Sequence, residues 1–107
     1  MARLILLAAC TLLLASCAGY RSYEEGRDAM VEGDSERSLA KLEQAVKAAP
    51  DNHIYREQYE RQKGIVIAKL LGDGDLSRSS GDLAKAEVSY RKVLKICLLY
   101  TSDAADE

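Results

Sequence analysis

The chain of 107 residues has no Trp and no Phe, one Pro, one His, and six tyrosines as its only aromatic residues. Its β-branched residues form almost no runs apart from Ile65-Val66-Ile67. That scarcity excludes a sheet, and with it the strand-then-glycine-loop arrangement that cradles phosphates. The lone histidine, His53, follows Pro50-Asp51-Asn52 and reads as decoration of a helix start rather than as a proton-transfer group. Charge is close to balanced, with 15 basic and 17 acidic residues. Neither a nucleic-acid patch nor an acidic tail is indicated.

What remains is rich in Ala, Leu, Glu, Lys and Arg, all good helix formers, so the expected fold is all-α. A first helix is expected from Tyr20–Ser22, where Ser22 and Glu25 have the spacing of a capping box, ending at Gly33. Asp34 or Ser35 caps a second helix, with Leu39, Leu42, Ala45, Val46 and Ala49 at the helical period until Pro50 stops it. Asp51 or Asn52 caps a third, running through Tyr55, Tyr59 and Val66 to Leu70. Gly72-Asp73-Gly74 is expected to interrupt or weaken that helix, since each Gly costs about 1 kcal/mol relative to Ala. After Ser79-Ser80-Gly81-Asp82, a last helix places Leu83, Ala86, Tyr90, Val93 and Leu94 on one face.

The N-terminus is organised differently. Arg3 precedes an apolar stretch, Leu4–Ala15, that ends in Leu14-Ala15-Ser16-Cys17, the layout of a secretory signal peptide. The stretch is short for a membrane-spanning helix, which needs about 20 apolar residues. Leu14-Ala15-Ser16-Cys17 resembles the lipobox of bacterial lipoproteins. The resemblance implies cleavage between Ser16 and Cys17, a diacylglycerol on the Cys17 sulfur and acylation of the new amine. Stable anchoring takes more than one acyl chain, and this arrangement would supply it. In known lipoproteins an Asp after the cysteine favours retention in the inner membrane. Ala18 there implies the outer membrane, lipid-anchored and facing the periplasm.

The other end, Cys97-Leu-Leu-Tyr-Thr-Ser-Asp-Ala-Ala-Asp-Glu107, resembles the in-frame translation of a transposase-type sequencing adapter. It is expected to be extraneous, with the native reading frame departing near Ile96. The expected organisation is a signal peptide over 1–16, a lipidated linker over 17–21, a helical-repeat region over 22–96 and an adapter-derived segment over 97–107. Without Arg3, Asp103, Asp106 and Glu107, the remainder carries 14 basic and 14 acidic residues. With Cys10 in the signal, Cys17 acylated and Cys97 extraneous, no disulfide framework or zinc site is left. No cofactor is expected beyond the covalent lipid. About 80 residues make a small domain or a piece of one.

Two of the helix pairs resemble the tetratricopeptide repeat, a helix–turn–helix unit of 34 residues. The first carries Gly26, Gly33, Leu42, Ala45 and Pro50 at the family's spacing, and the second carries Gly74, Gly81, Ala86 and Tyr90 in the same register. The resemblance implies that Gly26 and Gly74 lie where two helices cross closely and that Gly33 and Gly81 make the turns. Leu42 and Tyr90 would fill the space between the helices, and Pro50 would end the unit. The pattern departs from the family in lacking the large aromatic of the first helix, and Ser38 replaces the common Ala. Equivalent positions such as Leu42 and Tyr90 lie 48 apart. The surplus implies an elongated third helix between two hairpins; a plain helical bundle is the alternative.

No catalytic constellation is present, and the chain is not expected to be an enzyme. Glu24, Glu25, Asp28 and Glu32 interleave with Arg21 and Arg27 as a solvated helix face, with i,i+4 pairs such as Glu57–Arg61. Gly72-Asp73-Gly74-Asp75 lacks the remaining ligands of a calcium loop. Tyr20, Tyr23, Tyr55, Tyr59 and Tyr90 read as packing residues with wet hydroxyl groups. Stacked helix pairs present extended surfaces that bind proteins.

A narrower resemblance follows the order of motifs. These are the lipobox with Cys17-Ala-Gly-Tyr-Arg21, then Leu42-Glu-Gln-Ala-Val46 with Pro50-Asp-Asn52, then Gly81-Asp-Leu-Ala-Lys-Ala-Glu87 with Tyr90-Arg-Lys-Val-Leu94. Together they are similar to the N-terminal region of lipidated secretin-type proteins of type II secretion or type IV pilus machinery. That implies protein partners of a secretion, pilus or envelope-assembly complex, and leaves oligomerisation of a full-length protein open. The alternatives are a free-standing repeat lipoprotein acting as an adaptor in outer-membrane protein or pilus assembly, and the docking arm of a cell-wall enzyme.

Overall fold

The computed structural model describes residues 1–105, which form four helices and, among the described residues, no strand. Helix α1 spans Ala2–Glu32, α2 Ser35–Ala48, α3 His53–Ser79 and α4 Leu83–Ala105. The chain divides into two compact units, residues 1–62 and 63–107. The fold is therefore all-α, as composition requires.

In the first unit the chain reverses between α1 and α2 at Gly33, whose φ of +81° lies in the left-handed region that glycine enters without strain. The Asp34 N–H donates to the Ala29 carbonyl at 2.9 Å and the Gly33 N–H to the Met30 carbonyl at 3.1 Å. These two bonds make a Schellman stop. Asp34 then caps α2 by accepting the Arg37 N–H at 3.1 Å. A two-residue connection of this kind lays α2 back along α1. Ala29, Ser38, Leu42 and Ala45 are fully buried there. Asn52 begins α3, its Oδ1 accepting the N–H groups of Ile54 at 3.0 Å and Tyr55 at 3.2 Å. The buried Tyr55 ring stacks on Tyr23 of α1, with centroids 4.8 Å apart.

The second unit repeats the device. Gly81 has φ +87°, the Asp82 N–H donates to the Ser77 carbonyl at 2.9 Å, and the Gly81 N–H donates to the Arg78 carbonyl at 3.1 Å. Asp82 Oδ1 accepts the Lys85 N–H at 3.1 Å and so caps α4. Ser77, Ala86, Ser89 and Val93 are buried. Each cap and turn bond of this unit lies 48 residues after its counterpart in the first.

Three expectations need correction. The first helix does not begin at Tyr20–Ser22: α1 starts at Ala2, and Ser22 lies in its interior rather than at a cap. The stretch before it is Leu- and Ala-rich with no proline, so nothing ends the helix. The third helix is not broken at Gly72 or Gly74, since α3 continues to Ser79. The two glycines weaken it without stopping it, and good helix formers such as Lys69, Leu70 and Leu71 precede them. On α4, Leu83 and Leu94 are exposed, because the buried face is centred on Ala86, Ser89 and Val93. As for the expected segment boundaries, α1 runs without a break through residues 16–22 and α4 through residues 96–97. Asp106 and Glu107 of the adapter-like stretch lie outside the described residues.

Two outcomes test this packing. A Cβ at Gly72 would meet nothing within 4 Å, so Gly72→Ala should raise stability by about 1 kcal/mol through helix propensity. A Cβ at Gly74 would lie 2.6 Å from Tyr90 Cε1, so Gly74→Ala should lower stability by about 1 kcal/mol or more. Urea unfolding of the two variants should therefore move in opposite directions. Separately, Ser38 Oγ is buried without a hydrogen-bond partner, so Ser38→Ala should add about 1 kcal/mol. A loss of stability in that variant would show the hydroxyl to be satisfied.

Candidate functional site

Two groups of residues concern function: the N-terminal part of α1 around Cys17, and the interlocked faces of the helix pairs. In the first, Leu4, Ile5, Leu6, Leu7, Leu12, Leu13 and Leu14 are all exposed, as are Cys10, Ser16 and Cys17. Against the expectation that the apolar stretch is too short to span, α1 is long and apolar enough over an 18-residue window to cross a membrane, a test that a signal sequence also meets. Just beyond Cys17, between the exposed Ala18 and Tyr20, Gly19 is buried. A Cβ there would lie 3.4 Å from Ala48 Cβ and 3.5 Å from Tyr55 Cε2. The residues expected as a linker, 17–21, are thus helical, and Gly19 among them is packed against α2 and α3.

The repeat positions meet in pairs. Gly26 lies under Leu42, with a Cβ at Gly26 falling 3.0 Å from Leu42 Cγ and 3.3 Å from the Leu42 backbone nitrogen. Gly74 lies under the Tyr90 ring. Gly33 and Gly81 occupy the two turns, Ala45 and Ala86 are buried, and Pro50 is exposed in the connection between α2 and α3. Ser38 of α2 and Ala86 of α4 hold the same register, and both are buried.

Electrostatics tie these faces together. Glu25 of α1 receives Lys41 Nζ of α2 at 2.6 Å and Arg21 Nε at 3.2 Å. The Lys41 hydrogen bond is the main cause holding the Glu25 carboxyl below its ordinary value of 4.5; Arg21 adds to it and partial desolvation opposes it. In the second unit the Tyr90 hydroxyl donates to Asp75 Oδ1 at 2.6 Å. That bond, with burial and the Asp75 charge, pushes the Tyr90 phenol above its ordinary value of 10.0, while Arg78 opposes the rise. Arg37 bridges the first turn to Glu32 at 3.0 Å, and Glu57–Arg61 forms the anticipated i,i+4 pair at 3.0 Å.

Sequence reasoning did not anticipate the Tyr23–Tyr55 stack, the Glu25–Lys41 bridge or the Tyr90–Asp75 bond. Only the last carried a signal, since Asp75 follows the crossing glycine directly. His53 lies at the exposed start of α3 with Nδ1 2.7 Å from an Arg56 guanidinium nitrogen. Asp73 and Asp75 lie on α3 rather than in a loop, and no group of His, Cys, Asp and Glu suited to a metal occurs among the described residues. The geometry is that of two packing modules, with Cys17 exposed beside the first. Comparison with family models, with curated proteins and with solved structures finds no match to the chain.

The Glu25–Lys41 bridge predicts a pH response. Because the Glu25 pKa is lowered on folding, its contribution is complete above about pH 4.5 and lost as pH falls through the depressed value. Glu25→Gln should flatten the acid limb of a plot of urea midpoint against pH, and an acid limb identical to the parent's would show the bridge to be idle.

Proposed function

We propose that this chain is a membrane-tethered, periplasmic interaction scaffold, lipidated at Cys17 and built from tetratricopeptide-like helix pairs. The observation that carries the reading is Leu14-Ala15-Ser16-Cys17 closing an apolar stretch, with Cys17 exposed. Support for the repeat part comes from the paired glycines. Gly26 and Gly33 of the first unit, and Gly74 and Gly81 of the second, stand in one register and serve the same crossing and the same turn.

Such a scaffold binds proteins through the surfaces its stacked helices leave exposed, and performs no bond chemistry. The acyl chains on Cys17 would hold it at the outer membrane, each buried methylene contributing about 0.8 kcal/mol. The motif order supports a narrower version, in which the chain is the leading part of a secretin-type component of type II secretion or type IV pilus machinery. Its partners would then be other proteins of that assembly.

Expression in a bacterium with labelled palmitate tests the tether. The parent chain should incorporate label and sediment with membranes. Cys17→Ser should lose the label and the lipidated mass. Label and membrane fraction unchanged by the substitution would contradict the reading.

A further inference from the structure

We infer that the Cys17 end of the first unit is a bilayer-contacting face, with Tyr20 and Ile54 seated among lipid headgroups. The inference rests on the lipidation of Cys17 proposed above and adds an orientation to it. Helix α1 carries Cys17 directly into the packed body, with no loop between. Gly19 is only two residues on, about 3 Å along the helix axis, and already packs against Ala48 and Tyr55. An acyl-bearing sulfur at position 17 therefore holds this end of the body against the bilayer.

The same contacts define which residues share that end. Because Gly19 is level with Ala48, Ala49 and Tyr55, the Ala49–Asn52 connection and the first turn of α3 lie beside it. Tyr20 there is 60% exposed and Ile54 is 61% exposed. Both are apolar surfaces that aqueous folding leaves unburied, and a tyrosine suits the headgroup layer because its ring is apolar and its tip polar. Arg21, Lys47 and Arg56, all exposed, stand within two residues of Tyr20, Ala48 and Ile54 in the chain. The nearest carboxylates in sequence, those of Asp51 and Glu57, are also exposed and stand three residues from Ile54. Arg21 also pairs with Glu25, and Lys47 with Glu43, but both cations remain largely exposed. Exposed apolar residues with exposed cations next to them in the chain match an anionic lipid surface. The Gly33 turn is at the opposite end of the unit, about 21 Å from Gly19 along α1.

Since the chain has no tryptophan, single-tryptophan variants report on each end separately. Ile54→Trp probes the proposed face, and Val31→Trp, at a site 90% exposed near Gly33, probes the far end. Neither side chain is buried. Each full chain is lipidated in a bacterium, purified in detergent and reconstituted in vesicles of phosphatidylethanolamine and phosphatidylglycerol with brominated acyl chains. The Ile54→Trp emission should shift to the blue and be quenched about twofold, as for a ring about 5–10 Å into the interface. Val31→Trp should be unaffected. Equal behaviour of the two variants, with the acyl mass present, overturns the orientation while the lipidation reading stands. Absence of the acyl mass overturns both.

Discussion

Each unit depends on one close approach between helices, made possible by a missing side chain. Leu42 settles onto Gly26 and the Tyr90 ring onto Gly74 so tightly that a Cβ at either glycine would crowd its neighbour. The turn seven residues later sets that approach in register. A left-handed glycine and an aspartate cap leave the chain only a narrow way to reverse. Turn and crossing reinforce one another, because the Schellman bonds fix where α2 and α4 begin. Their starting points in turn bring Leu42 and Tyr90 over the glycines.

The two crossings are solved differently in detail. In the first unit an aliphatic side chain fills the gap and an ion pair, Glu25–Lys41, spans the helices beside it. In the second a tyrosine fills the gap and its hydroxyl reaches Asp75, next in sequence to the crossing glycine. A larger ring thus brings its own polar link, which satisfies the hydroxyl where an aliphatic residue needs nothing. The fully buried Ser38 has no such link, and Ala86 at the equivalent place of the second unit shows the apolar solution.

Much of this was legible in the sequence because it is local. Gly33, Asp34, Asn52, Gly81 and Asp82 punctuate the chain by backbone chemistry that depends on neighbours within a few residues, and their turns and caps lie where that chemistry puts them. What was not legible depended on tertiary contacts. Ser22 and Glu25 have the spacing of a capping box, yet the chain before them is helical, so no end exists there to cap; Glu25 instead meets Lys41 of another helix. Helix propensity alone marks Gly74 as a weak point of α3, whereas the repeat resemblance implied a close crossing there, and it is the surface on which Tyr90 rests. The periodic pattern of α4 included Leu83 and Leu94 because hydrophobicity alone does not say which side of a helix meets a partner. Around Cys17 the motif was readable, whereas the packing of Gly19 only two residues later required the fold.

A tether at Cys17 and a body that begins at Gly19 would make the position of the first helix pair a property of the membrane surface. The packing of the helix pairs rests on their glycine crossings. Nuclear Overhauser contacts in the full chain test them most directly, between the Tyr90 ring and the Gly74 α-protons and between the Leu42 methyl groups and the Gly26 α-protons. The account predicts strong contacts in both pairs. Their absence in a folded, helical protein would contradict it.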